Sequence, residues 1–221
     1  MNFAPTLQSS PQGTAVAFAT LVNWMTGRRK VCQGDRLYRE NDHFHTIYMV
    51  HSGSFKSTLA LADGCEQVNN FNMTGELLGL DGMADGKHAS SATALEDSEI
   101  ALLPYVLLRE LSVQTAALHA TVIRLVSREI VRGNSHMRLL GSRNATQRLA
   151  AFLLNQSDGL SARGYSATEF NLKMTRGDIG SFLGLTLETV SRAFTDLQQQ
   201  RLLIVDRRNV RIADLEGLKR V

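Results

Sequence analysis

From Val31 to Leu103 the chain alternates apolar and polar residues in short runs, such as Ile47-Tyr48-Met49-Val50 and Phe55-Lys56-Ser57-Thr58-Leu59. Turn signals separate the runs at Gln33-Gly34-Asp35, His51-Ser52-Gly53, Ala62-Asp63-Gly64, Thr74-Gly75 and Asp85-Gly86. A period of two puts successive side chains on opposite faces of a sheet, so short strands joined by glycine turns predict an antiparallel barrel or roll. Residues 1 to about 20 hold Ser, Gln and Pro without a sustained period and read as a flexible arm, followed by a short helix near Thr20 to Met25.

After Pro104, a residue suited to a first helical turn, the period lengthens. No proline and only Gly133 and Gly141 occur until after Gln156, which predicts a long helix. Within it Ile123, Val126, Ile130, Gly133, Met137 and Leu140 recur at 3, 4, 3, 4, 3 spacing, the heptad seam of a helix that pairs with a second copy. Leu118, Val122 and Leu125 form another stripe that can face the roll. An ordinary core helix with one wide apolar face is the competing reading. Arg138 and Gly141-Ser142-Arg143-Asn144 then read as a hinge.

Beyond the hinge, Leu149, Phe152 and Leu153 stripe a helix from Ala145 to Asn155, a polar loop spans Ser157 to Thr168, and Phe170, Leu172 and Met174 alternate as a strand. Thr175 and Asp178 stand at capping-box spacing, so a short helix starts at Thr175 and Gly184 ends it. Thr186 caps the next helix, which runs to about Gln199. Two short helices around a glycine-started turn make a helix-turn-helix. Leu202 to Val205, the Asp206-Arg207-Arg208-Asn209 turn and Val210 to Ile212 read as a hairpin wing. The divisions are therefore an arm (1–20), a roll (21–103), a dimerisation helix with its hinge (104–141) and a winged helix-turn-helix (142–221), an α+β fold.

Charge points the same way. Ser142 to Val221 carries 12 Lys and Arg against 8 Asp and Glu, whereas Met1 to Gly141 carries 12 against 13, so the basic excess is C-terminal. A phosphate backbone attracts such a segment through counterion release. Two cysteines, Cys32 and Cys65, are too few for a disulfide framework and read as inert thiols. No signal peptide and no apolar run of about 18 residues is present, which predicts a cytoplasmic protein with no membrane span. No catalytic constellation is evident, so an enzyme is not expected.

On the helix capped by Thr186, Leu187, Val190, Phe194 and Leu197 make the stripe expected to be buried, leaving Glu188, Ser191, Arg192 and Thr195 outward. A guanidinium matches guanine O6 and N7, a carboxylate accepts from cytosine N4, and a short hydroxyl or its carbon meets thymine. Glu188, Ser191 and Arg192 are the candidates for reading bases in double-stranded DNA. Thr175, Arg176, Thr186 and Thr189, at helix starts or flanks, and Arg207 and Arg208 on the wing are candidates for holding phosphates.

The stretch Met174-Thr-Arg-Gly-Asp-Ile-Gly-Ser-Phe-Leu-Gly-Leu-Thr-Leu-Glu-Thr-Val-Ser-Arg192 resembles the C-terminal signature of the CRP/FNR superfamily, FNR branch. The likeness runs from Val31 to Leu218 and takes in Gly75-Glu76-Leu77 and Arg148-Leu149-Ala150-Ala151-Phe152. It implies a β-roll like the cyclic-nucleotide-binding jelly roll, a long dimerisation helix and a winged helix-turn-helix. It further implies a homodimeric transcription regulator whose Glu188, Ser191 and Arg192 recognise TTGAT half-sites in the inverted repeat TTGAT-N4-ATCAA. RNA polymerase is the implied protein partner, touched by roll loops, with Asp63, Gly64 and Glu66 at a hairpin tip as candidates.

The family's usual inputs do not map onto the chain. A [4Fe–4S] cluster needs three N-terminal cysteines and a fourth in the roll, yet residues 1–31 contain none and Ala101 stands at the fourth position. A cyclic nucleotide needs a roll arginine on its phosphate beside a glutamate on its ribose. Glu76 fits the second role, but no arginine lies between Arg39 and Arg109, and Lys87 with His88 is a poor substitute. His43 and His45 read as surface residues. No cofactor or metal is expected, and Gly133, where cluster-dependent relatives carry an acidic residue, would leave two facing seams free of repulsion. The alternative is a small-molecule sensor module of the cyclic-nucleotide-binding fold with an unidentified effector.

Overall fold

The structure, a computed structural model, describes residues 24–142 and 144–221, so the expected arm over 1–20 and most of the helix expected near Thr20 lie outside the described residues. Eight strands build the roll: β1 (Gly27–Val31), β2 (Arg36–Tyr38), β3 (Thr46–Ser52), β4 (Ser54–Ala60), β5 (Glu66–Met73), β6 (Leu77–Leu78), β7 (Ser91–Ala94) and β8 (Ser98–Pro104). They form two antiparallel four-stranded sheets, ordered β1-β8-β3-β6 and β2-β7-β4-β5. The alternation in the sequence decides what each face meets. Val50, Leu78 and Ile100 of the first sheet pack inward against Phe55, Ala92 and Ala94 of the second. Their neighbours Ile47, Met49, Ala101 and Leu103 point to the opposite face.

That outer face is covered by helices. Pro104 ends β8 and caps α1 (Tyr105–Gln114), so it stands one residue before the first turn. The single helix expected after Pro104 is in fact two, because Thr115 is extended (φ −129°, ψ 102°) and separates α1 from α2 (Ala116–Ser142). The break lets Leu108 of α1 and Leu118 of α2 both bury against the first sheet, with Val122 and Leu125 packed beside them as the second stripe predicted.

The C-terminal part comprises α3 (Ala145–Ala162), β9 (Glu169–Asn171), α4 (Arg176–Leu183), α5 (Leu187–Gln199), β10 (Leu203–Asp206), β11 (Asn209–Ile212) and α6 (Leu215–Arg220), with a β10-β11-β9 sheet. Helix α3 starts at a capping box between Asn144 and Gln147 and continues past Asn155 into the expected loop. Its final turns hold because Ser157 is buried and its Oγ donates to Ala167 O at 2.6 Å, a tertiary contact that pattern alone does not carry. The ladder of β9 stops at Asn171, though Leu172 and Met174 remain buried.

The core of this part runs through Leu149, Phe152, Ile179, Leu183, Val190, Phe194, Leu197 and Val210, and it extends onto Val68 and Phe71 of the second sheet and onto Leu95, which directly follows β7. Helix α4 is joined to the roll by polar contacts as well. Lys56 pairs with Asp178 at 2.5 Å, Val68 N donates to Ser181 Oγ at 2.8 Å, and Gln67 Nε2 donates to Ser181 O. From α2, His136 stacks on Phe182 with 4.0 Å between ring centroids, and its Nε2 donates to Phe182 O at 2.7 Å.

Candidate nucleic-acid interface

The helix-turn-helix is set by local chemistry first. Thr175 Oγ1 accepts from Asp178 N at 3.0 Å while the Asp178 carboxylate accepts from Thr175 N at 2.9 Å, which fixes the start of α4. Gly184 then reverses the chain at φ 63°, in the left-handed region. Gly180 lets the turn close: a Cβ there would stand 2.7 Å from Leu185 O. Arg148 ties the turn down, donating to Leu183 O at 2.9 Å and to Leu140 O at 2.6 Å.

Helix α5 buries Val190, Ala193, Phe194 and Leu197 and leaves Glu188, Ser191, Arg192 and Thr195 exposed together. Thr186 Oγ1 caps it by accepting from Thr189 N at 3.2 Å. The Glu188 carboxyl lies below its ordinary range because it accepts from its own backbone N–H and from the Thr186 hydroxyl, with Arg192 adding a smaller pull, so it is a carboxylate at neutral pH. Ser191 donates its hydroxyl proton to Leu187 O at 2.9 Å, which leaves its lone pairs and Cβ facing out. Leu187 departs from the sequence reading. It was expected in the buried stripe, yet it is 51% exposed, because the residue beside it is Gly177, whose missing side chain offers nothing to bury against.

The phosphate candidates border this face. Thr175, Thr186, Arg207 and Arg208 are exposed, and Thr189 is half-buried with its hydroxyl 3.0 Å from that of Thr186. Arg176 is drawn inward: its guanidinium carbon lies 3.3 Å from the Phe194 ring centroid. Desolvation lowers its pKa to about 10, which leaves it cationic at neutral pH. Its Nη2 donates to Arg207 O at 3.5 Å, whereas the buried Nη1 has no hydrogen-bond partner among the described residues. A cleft of about 160 Å³ opens there, lined by Leu172, Met174, Thr175, Arg176, Arg207 and Arg208. The stacking of Arg176 on the underside of α5 has no sequence signal, since eighteen positions separate it from Phe194.

The remaining candidates lie elsewhere. On α2 the candidate seam residues Ile123, Ile130 and Met137 are 54%, 61% and 65% exposed, Val126 and Leu140 are half-buried, and a Cβ on Gly133 would meet nothing within 4 Å among the described residues. At the β4–β5 tip Asp63 Oδ1 accepts from Cys65 N at 2.9 Å, while Glu66 pairs with Arg36 at 2.6 Å. The Glu76 carboxylate, weighed above for a ribose, is held by Arg132 of α2 at 2.7 Å and lies 3.9 Å from Arg163 at the end of α3. His88 is buried and stacked on Tyr38 at 3.7 Å, inside the roll. This donor set does not fit a cyclic nucleotide. Cys32 and Cys65 are exposed free thiols and Ala101 is a buried strand residue, so the chain's thiolates do not fit a [4Fe–4S] cluster either. His43 and His45 stack on each other at 6.2 Å, and among the described residues no group of three or more His, Cys, Asp or Glu is placed to hold a metal ion. No described helix is long and apolar enough to cross a membrane.

Comparison with known proteins accords with this geometry. Residues 147–221 match the Crp-like helix-turn-helix domain family and residues 28–114 the cyclic nucleotide-binding domain family. The chain is 44% identical to the transcriptional regulatory protein btr of Bordetella pertussis, over 88% of its own length and 80% of that protein. It is 42% identical to the transcriptional activator protein Anr of Pseudomonas protegens, over 84% and 76% of the two chains. The solved structure of FixK2 from Bradyrhizobium japonicum superposes with a TM-score of 0.80 at 29% identity, covering 88% of this chain and 96% of that one. With a roll, a long helix and a winged helix-turn-helix in that order, and relatives at this identity, the chain belongs to the CRP/FNR superfamily of DNA-binding transcription regulators, in its FNR branch.

Proposed function

We propose that the protein acts as a homodimer on TTGAT-N4-ATCAA inverted repeats, with α5 of each protomer in a major groove and Glu188, Ser191 and Arg192 reading base edges. The observation that carries this is the outward face of α5, where an ionised carboxylate, an acceptor hydroxyl and a guanidinium stand exposed within two turns while Val190, Ala193, Phe194 and Leu197 are buried on the opposite side. Thr175, Arg176, Thr186, Thr189, Arg207 and Arg208 border it and hold phosphates, which fixes register without reading sequence. The exposed α2 stripe at Ile123, Ile130 and Met137 pairs the protomers, and a two-fold axis presents the reading heads about 34–36 Å apart.

Neither an iron–sulfur cluster nor a cyclic nucleotide gates the protein in this reading, since neither donor set is present. Activation proceeds through RNA polymerase in the cytoplasm, with Asp63 and Gly64 at the roll tip outermost and Glu66 partly occupied by Arg36.

The test is equilibrium binding to the repeat and to single-base variants of it. Arg192→Ala is expected to cost about 1–3 kcal/mol on the intact site and to relax preference at one guanine per half-site. Full discrimination retained by that variant would remove the base-reading role. Protein purified without oxygen is expected to show no cluster absorption and less than one iron per chain; a stoichiometric cluster would overturn the ungated reading.

A further inference from the structure

We propose that Arg132 is a positioning residue for DNA binding: by tying α2 to Glu76 of the roll, beside Arg163 of α3, it sets the spacing between half-sites that the dimer accepts. This rests on the reading of the protein as a dimer on inverted repeats. The face of α2 that turns toward its own protomer runs through Leu118, Val122, Leu125, Glu129, Arg132 and His136, at 4, 3, 4, 3, 4 spacing. Its apolar start packs against the first sheet. Arg132, about two turns beyond Leu125, carries the attachment on as an ion pair, and His136 one turn later holds α4 through Phe182. The exposed stripe of Ile123, Ile130 and Met137 lies on the other side of the helix.

Three elements meet at Glu76. The residue sits in the turn between β5 and β6, and the turn pins it to the roll: Val50 N donates to Glu76 O at 3.0 Å, and Met73 N donates to Glu76 Oε2 at 3.0 Å. The other carboxylate oxygen, Oε1, accepts from Arg132 Nη2 at 2.7 Å and lies 3.9 Å from Arg163 Nη1 at the end of α3. Glu129 stands 3.5 Å from Arg132 Nη1, a looser pairing that balances the second guanidinium. Gly159 leaves room for Arg163 to lie back along α3, since a Cβ there would stand 3.3 Å from its Nη2. Glu76, Arg132 and Arg163 are all half-buried, so salt screens them less than it screens an open surface pair.

A two-fold axis along the seam relates the two copies, so the distance between reading heads depends on how the roll and the winged part sit against α2. The apolar contacts at Leu118, Val122 and Leu125 secure only the first half of that helix to the roll. The winged part is fastened to the roll by the shared core and to the second half of α2 by His136. Arg132 closes this loop. It joins the roll to the second half of α2 at the carboxylate that Arg163 of α3 also approaches, and so fixes the angle between the seam and α5. The tie is made of the protein's own charges and needs no effector, which suits a roll without the donors for a cyclic nucleotide.

Affinities are measured on the TTGAT-N4-ATCAA repeat, on repeats with longer and shorter spacers, and on a duplex with a single half-site. The proteins are the wild type, Arg132→Ala, Glu76→Gln and the double variant. Glutamine keeps an acceptor for Met73 N and removes the charge that Arg132 pairs with. Arg132→Ala is expected to bind the N4 repeat about five- to tenfold more weakly, to relax the preference for that spacer, and to keep its half-site affinity. Glu76→Gln is expected to do the same, and the double variant to be no weaker than either single one, the mark of a shared interaction. Arg132→Ala that keeps the wild-type spacer preference overturns the proposal, because a merely structural role would lower stability and leave that preference untouched. Equal losses on half-site and repeat overturn it too, as do losses that add in the double variant. Should Arg132→Ala fail to fold or to dimerise, Glu76→Gln, altered only in the roll, decides by the same spacer comparison. Wild-type protein that binds the repeat no more tightly than a scrambled duplex overturns the inverted-repeat reading, and Arg132 with it. A spacer preference present in the wild type and unchanged in both single variants removes Arg132 alone.

Discussion

The guanidinium of Arg176 has lost water to the Phe194 ring and to the wing turn, and the negative face of the ring offsets part of that loss. It therefore acts in two ways, bracing α5 from beneath while its charge contributes to the potential at the phosphate cleft. Arg176→Ala is expected to lower stability by about 0.5–2 kcal/mol and to weaken binding to all DNA sequences alike, with the salt slope falling by about one. Thermal unfolding and salt titrations check both, and a loss confined to one base pair would contradict it. Residue roles divide by how local their cause is. The outward placement of Glu188, Ser191 and Arg192 on one helix face was legible because helical period and residue type are both written in the chain. The placements of Leu187 and Arg176 were not, because one depends on the absence of a side chain on Gly177 and the other on a ring eighteen positions away.

Among the elements, α2 carries the clearest test. Its exposed isoleucines and methionine recur every seven residues with no cover among the described residues of the protomer, a costly surface unless a second helix lies on it. Ile130→Asp would bury a carboxylate in the seam and is expected to give monomers at micromolar concentration in analytical ultracentrifugation, with the fold of each protomer retained. Dimers that survive the substitution would place the subunit contact elsewhere. The exposed stripe of Ile123, Ile130 and Met137 was visible as spacing, and so was the stripe facing the roll. The extended Thr115 that divides α1 from α2 was not, since neither glycine nor proline marks it. Nor was the continuation of α3 to Ala162, which depends on the burial of Ser157.

Across the whole molecule the second sheet and α4 share one apolar core, sealed by Lys56 and Asp178. Burial alone would raise the Asp178 pKa, but hydrogen bonds from Lys56 and Thr175 outweigh it and hold the group below its ordinary 3.8. A carboxylate depressed in the folded state adds stability that is complete above the unfolded pKa and lost as pH falls through the folded one. Lys56→Met is accordingly expected to cost about 1–3 kcal/mol near neutral pH and to move acid loosening of α4 from β5 to higher pH. The gap from the wild type should close as pH falls through the depressed folded pKa of Asp178, below which the carboxylate is protonated in both. Hydrogen exchange of β5 and α4 across an acid series measures this, and a gap that stays constant with pH would dissociate Lys56 from the Asp178 titration.

By itself the sequence determined the α+β architecture, the order of roll, long helix and winged helix-turn-helix, and the chemistry on the outward face of α5. Each of these follows from period, capping and turn residues within a few positions of one another. Only the tertiary structure decided which apolar residue of α5 stays in water, which arginine supports the helix from below, and how the roll grips α4. Those depend on what a distant segment places, or fails to place, against a side chain, and no local pattern carries that information.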